Sequence, residues 1–273
     1  MSFEVTSEES KRKKLEAVRQ QIIETLLEID DLILQVIPQI QVEYVKNVGY
    51  LEDDLFKWQI KARRARRQFG LMQAAANRGE RAQAEKIAVA LEDEFAAWEA
   101  LIMQRSAEQL ELLERFSNAR VLSEAESRAL KKLHRVLIKR LHPDLHGELP
   151  DEAHRFFLIA QSAYENGDIE TLRMVATATE EYETEESVAS NNEEALSESQ
   201  LEIDLTMAQA QLSLAQEKLA NIKSTPPYNF VELLENPKKL ASRRAELKAL
   251  IEQQKEVYAS YKQKIIELGG EVL

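Results

Sequence analysis

The chain contains no cysteine. That excludes disulfide cross-links, a thiol nucleophile and cysteine-ligated zinc. Glycine and proline are scarce, 7 and 6 in 273 residues, while 31% of residues are charged. This is the profile of long helices and not of a sheet protein with its many turns. No long uncharged apolar run is present. The most apolar stretch, Ile22 to Ile37, contains Glu24, Glu28, Asp30 and Asp31, which rules it out as a transmembrane span. The opening MSFEVTSEESKRKK lacks the apolar region of a signal peptide. Positive charge is not in excess either, and the formal net charge of −12 works against nonspecific attraction to nucleic acid or an anionic membrane. There is no glycine loop to cradle phosphate, and no nucleophile elbow or oxyanion glycine motif to serve Ser123 or Ser162. The expectation is a cytoplasmic, non-enzymatic protein with no cofactor, no metal and no nucleic-acid or membrane partner.

What the sequence does have is helical periodicity. Its length suits one large or two ordinary domains. Leu15, Val18, Ile22, Thr25, Ile29, Leu32 and Val36 recur at three and four residues, predicting a helix over about 7–37. Pro38 then acts either as a kink or as the first residue of a second helix. Over 38–76, Tyr44, Val48, Leu51, Leu55, Trp58, Ala62, Ala65, Phe69, Met72 and Ala76 alternate at four and three. A seam sustained this long predicts coiled-coil packing. Asn77-Arg78-Gly79-Glu80 reads as a tight turn into a third helix over 81–118, whose apolar side carries Ile87, Leu91, Phe95, Trp98, Ile102 and Leu112. Pivoting about the turn makes an antiparallel hairpin and places Ala62 near Phe95 and Leu55 near Ile102. The basic cluster Lys61, Arg63, Arg64, Arg66 and Arg67 could be read as a nucleic-acid patch. The same pivot faces it with Glu92, Asp93, Glu94 and Glu99, which would neutralise such a footprint.

The stretch from Leu130 to Val175 departs from these heptads. Ser123 with Glu126 forms a capping box for the helix that leads into it. Leu130, Leu133, Leu137 and Leu141 share one face, and Lys131, Lys132, Arg135, Lys139 and Arg140 lie mostly off it. Pro143 ends the helix by disfavouring helical geometry at His142. The loop His142-Pro143-Asp144 follows, with Gly147 and Pro150 beyond it. A second helix begins near Asp151 and carries Phe157, Ala160 and Tyr164 with Phe156 and Ala163 beside them. Gly167 ends it, and Asp168 caps a short third helix to Val175.

This stretch resembles the core of a J domain, the module by which co-chaperones engage the DnaK-class heat-shock ATPase. The resemblance rests on the basic amphipathic helix, the His142-Pro143-Asp144 triplet and the following helix with Phe157 and Ala163-Tyr164. It covers roughly 45 residues. The whole chain is also similar to bacterial proteins that carry a J-like module between coiled-coil arms. Three features depart from the family: the upstream segment RFSNARVLSEAESRA has no Tyr-x-x-Leu-Gly element, Leu141 stands where tyrosine is usual, and ENGDIETLRMV replaces the usual fourth helix. The resemblance implies chaperone contact through His142, Pro143, Asp144, Arg135, Lys139 and Arg140. It implies a module core of Leu133, Leu137, Leu141, Phe157, Ala160, Ala163 and Tyr164. Pro143 would fix the loop so that the polar groups of His142 and Asp144 point outward.

Beyond Thr177 an acidic, Ser/Asn-rich segment reads as a flexible linker, mobile over Glu180 to Glu194. A second helical arm then begins near Ser197, broken at Ser224-Thr225-Pro226-Pro227 and ended by Gly269-Gly270. The domains so drawn are a hairpin arm over 1–120, the J-like module over 121–178, the linker over 179–196 and a C-terminal hairpin over 197–273. The fold class is all-α, with long antiparallel helical hairpins flanking a small module. The second hairpin either packs on the first or makes a homodimer. His134, His142, His146 and His154 lie close in sequence, but a proline-bearing loop is a poor frame for the converging ligands zinc requires. The function implied is a co-chaperone or adaptor that recruits and stimulates the chaperone ATPase, its arms binding a client or partner. The competing reading is a coiled-coil scaffold whose J-like module no longer engages the chaperone.

Overall fold

The computed structural model describes residues 7–117, 122–146, 150–182 and 198–273. These are all-α, with no strand among them. The helices are α1 (Ser7–Asp31), α2 (Ile37–Tyr44), α3 (Tyr50–Asn77), α4 (Ala84–Ser117), α5 (Glu124–Leu141), α6 (Asp151–Glu165), α7 (Ile169–Ala178), α8 (Glu198–Ser224), the single turn α9 (Val231–Leu234) and α10 (Pro237–Glu267). Wide five-residue turns at Leu32–Val36 and Val45–Gly49 join α1, α2 and α3. Pro38 has no N–H to return to the carbonyl four residues back. The wide turn before it absorbs the mismatch, with the Ile37 N–H reaching Leu32 O. The expected mobile linker lies outside the described residues except at its start, where Glu180–Tyr182 close one 3₁₀ turn.

Packing groups the chain differently from the boundaries read off the sequence. One unit is Met1–Gln39 with Ala119–Asn229, and the other is Ile40–Asn118 with Phe230–Leu273. The expected C-terminal hairpin is divided between them, α8 lying on α1 and α10 on α3. In the first unit, Lys11 pairs with Glu202 and Glu28 with Lys223, so α1 and α8 run parallel. Leu15, Ile22, Leu26 and Ile29 are buried there with Leu201, Ala208 and Ala215. In the second unit, Glu52 pairs with Arg243, Trp58 meets Tyr258 and Phe69 meets Tyr261, so α3 and α10 are also parallel. Tyr44 stacks on Phe230 at 4.0 Å. Burial and a hydrogen bond to Glu52 push its hydroxyl up to about 12. A heptad seam shows that a helix needs a partner and leaves the partner open.

The turn after α3 forms as expected. Gly79, at φ 69°, lets the Glu80 N–H reach Ala75 O and its own N–H reach Ala76 O, the left-handed helix ending glycine favours. Across α3 and α4, Arg67 pairs with Glu94 and Arg64 with Glu99. Lys61 sits 4.7 Å over the Trp58 ring. Part of the basic cluster is therefore neutralised within the unit. The seam divides between two helices: Val48, in the turn before α3, and Leu51 are buried with Leu247 and Ile251 of α10, with Leu55 and Trp58 packed against them, whereas Ala65 and Met72, with Phe69 beside them, share a cluster with Ile87, Leu91 and Phe95 of α4 and Ile265 of α10.

Candidate functional site

The site is built on α5, α6 and α7, a three-helix module within the first unit. The capping box of α5 is complete: Glu126 N–H donates to Ser123 Oγ, and Ser123 N–H to Glu126 Oε2 at 2.9 Å. Gly167, at φ 68°, ends α6, with Asp168 N–H donating to Ala163 O at 2.8 Å. The Asp168 carboxylate then caps α7 through Thr171 N–H at 3.0 Å. The Thr171 hydroxyl, and after it that backbone bond, hold its carboxyl below the usual range. Leu130, Leu137, Ile138 and Leu141 of α5 are buried with Phe157, Ala160, Ala163 and Tyr164 of α6 and with Leu172 and Val175 of α7, and Leu133 packs half-buried against them.

At the end of α5 the chain turns tightly. Leu145 N–H donates to His142 O, and His146 N–H to Pro143 O. The His146 ring contacts Lys139 O at 2.8 Å, tying the loop back to its helix. Pro143 and Asp144 are exposed. His142 is not held outward. Its ring is buried and stands edge-on to Phe157 at 5.1 Å and 75°. Its Nδ1 accepts the Asp144 N–H at 3.1 Å, a role open to a neutral imidazole. Burial pulls its pKa down, opposed by Asp144 and Asp30 and aided by Lys218 and His134. The turn that closes the loop carries the imidazole inward, where an aromatic neighbour awaits it.

The basic face expected to meet a partner is partly engaged. Lys131 pairs with Asp31, and Arg135 lies 3.8 Å from Glu24. Arg140 donates to Ala176 O at 2.8 Å, so it braces α7. Lys139 remains exposed beside the loop. The structure thus presents Pro143, Asp144 and Lys139 to solvent, while the His142 ring turns inward beneath them and Arg140 is engaged with Ala176 O.

A buried polar cluster beside the module was not anticipated. His134 is stacked on Tyr164 at 3.9 Å and 10°. Its Nε2 lies 3.4 Å from Asp30 Oδ2, and neither atom has a closer partner. The Tyr164 hydroxyl donates to Asp31 Oδ1 at 2.9 Å, and Gln35 donates to Tyr164 O. Burial, with the carboxylates of Asp31 and Asp30, drives the Tyr164 pKa up. His134 falls four residues after Leu130 and three before Leu137, on the apolar stripe, and that spacing was the available signal. Among the described residues no group of three or more His, Cys, Asp or Glu side chains is placed to hold a metal ion. No helix among them is long and apolar enough to cross a membrane. No family model, curated protein or solved structure matches the chain.

Proposed function

We propose that this chain is a J-domain-like co-chaperone or adaptor of the cytoplasm, recruiting and stimulating a DnaK-class ATPase through the His142-Pro143-Asp144 loop while its long helices bind a client or partner. The observation that carries the reading is the exposed Pro143-Asp144 turn, presented between two helices that pack through Leu137, Leu141, Phe157 and Tyr164. Pro143 lowers the entropy lost when the loop docks. The Asp144 carboxylate is free to accept a charge-assisted bond from a partner arginine. Lys139 steers the encounter toward an acidic surface. His142 acts from beneath, through its bond from the Asp144 N–H.

The rival reading is a scaffold whose module no longer engages the chaperone. It is favoured by the inward packing of His142 and by the acids of α1 that occupy Lys131 and Arg135. A single-turnover ATPase assay with the chaperone of the same cell separates the two. Asp144→Asn touches only an exposed carboxylate, so it should abolish stimulation with the helical signal and melting midpoint unchanged. His142→Gln should do the same to stimulation but lower the midpoint, because it loses the Phe157 contact. No stimulation at saturating protein, or equal stimulation by Asp144→Asn, would leave the scaffold as the better account.

A further inference from the structure

Helix α4 has two apolar faces, and only one is used. Ile87, Leu91 and Phe95 are buried against α3 and the end of α10. On another side, Val89, Ala96, Ala100, Met103, Ala107 and Leu110 are all exposed, Val89 at 60%, Met103 at 74% and Leu110 at 57%. Their spacings of seven, four, three, four and three make a straight stripe about 30 Å long. Scattered surface apolar residues need no explanation, but an exposed alignment of this length does, even though Glu92 and Asp93 straddle its line between Val89 and Ala96. Exposed Glu85 and Glu114 continue its line at the two ends, and exposed Glu92, Asp93 and Glu111 lie beside it; none of these makes an ion pair with the described residues, and Lys86 and Arg115 stand to one side near the ends.

We propose that this face of α4 is a docking seam for a basic amphipathic helix of another protein. Alanines in the stripe let a partner backbone come close. Met103 and Leu110 supply adaptable apolar contact. The acidic edges select lysine and arginine at the flanking positions of the incoming helix, as charges beside a coiled-coil seam do. A second copy of this chain is the poorer occupant, because seam against seam would set acid against acid. The assignment does not depend on the loop at His142.

The test uses the full-length chain and a synthetic helix about four heptads long, with leucine and alanine in its seam and lysine at its flanks, followed by fluorescence anisotropy. The same helix with glutamate flanks is the control. The lysine helix should bind and the glutamate helix should not. Met103→Glu with Leu110→Glu should weaken binding at least about tenfold, while Met207→Glu, an exposed methionine on α8, should leave it unchanged. Glu92→Gln with Asp93→Asn should weaken binding and flatten its salt dependence without altering helicity. Equal affinity of the Met103→Glu, Leu110→Glu chain would overturn the proposal. So would indifference to the sign of the flanks, or a dimer of this chain that Met103→Glu dissolves.

Discussion

Among the described residues each unit buries one aspartate, and each gives it a different partner. In the first, Asp30 faces His134, which is itself 3% exposed. In the second, Asp53 lies 3.0 Å from Arg105, whose side chain is 41% exposed, and the pair is close without hydrogen-bond alignment. A guanidinium keeps its charge at any physiological pH and reaches water from a partly open site. The His134 imidazole is instead enclosed, stacked on Tyr164. The second unit therefore holds its acid by a fixed cation at its rim. The first holds it inside a stacked, hydrogen-bonded cluster that also positions α1 against α5 and α6.

The sharpest way to break this contrast is to remove each partner. His134→Ala strands Asp30 and empties the space against Tyr164, so it should cost about 3–5 kcal/mol. Arg105→Ala leaves Asp53 near an edge that water can reach and should cost roughly 1–3 kcal/mol. Denaturant unfolding of the two variants measures both. Equal costs would mean that the enclosure of the first cluster carries no extra energy.

A second distinction is response to pH. His142 titrates below its ordinary 6.5 because burial disfavours the imidazolium. The unfolded chain therefore takes up the proton at a higher pH than the folded unit does. Stability from this group is complete above about pH 6.5 and is lost as the pH falls below it. The melting midpoint should drop as the pH falls from about 6.5 toward 5.5, and His142→Phe should flatten that drop. Arg105→Leu should leave the slope as it was. A His142→Phe chain with the wild-type slope would assign the pH response elsewhere.

Much of the helix inventory was legible in the sequence, because periodicity, Pro143, Gly79, Gly167 and the Ser123–Glu126 box act locally. The all-α class and the turn at Gly79 followed from such signals. The apolar set around Leu137, Phe157 and Tyr164 also came together as its spacing suggested. What was not legible was partnership. Parallel pairs such as α1 with α8 and α3 with α10 need the chain to travel far before returning, and no short-range signal announces that. The inward turn of His142 and the engagement of Arg140 with Ala176 O depend on neighbours that only tertiary packing supplies. Asp30 and Asp31 were visible as charges inside an apolar run, and their partners lie about a hundred residues away.

The smallest expected effect tests which helix owns the long seam of α3. Leu55 was expected to lie near Ile102 of α4 as a buried seam residue, whose truncation would cost about 2–5 kcal/mol. It is half-buried and packs with Val48, Leu51, Leu247 and Ile251, on the side of α10. Losing part of a leucine from a half-covered site removes about 1 kcal/mol of apolar burial. Leu55→Ala should therefore be mild, and it should loosen α10 while sparing α4. Phe95→Ala, in the cluster with Ile87 and Leu91, should do the reverse and cost more. Hydrogen exchange read separately over 84–117 and 237–267 decides between them. Faster exchange in α4 on Leu55→Ala would return the seam to the hairpin, and α10 would then need another reason to lie along α3.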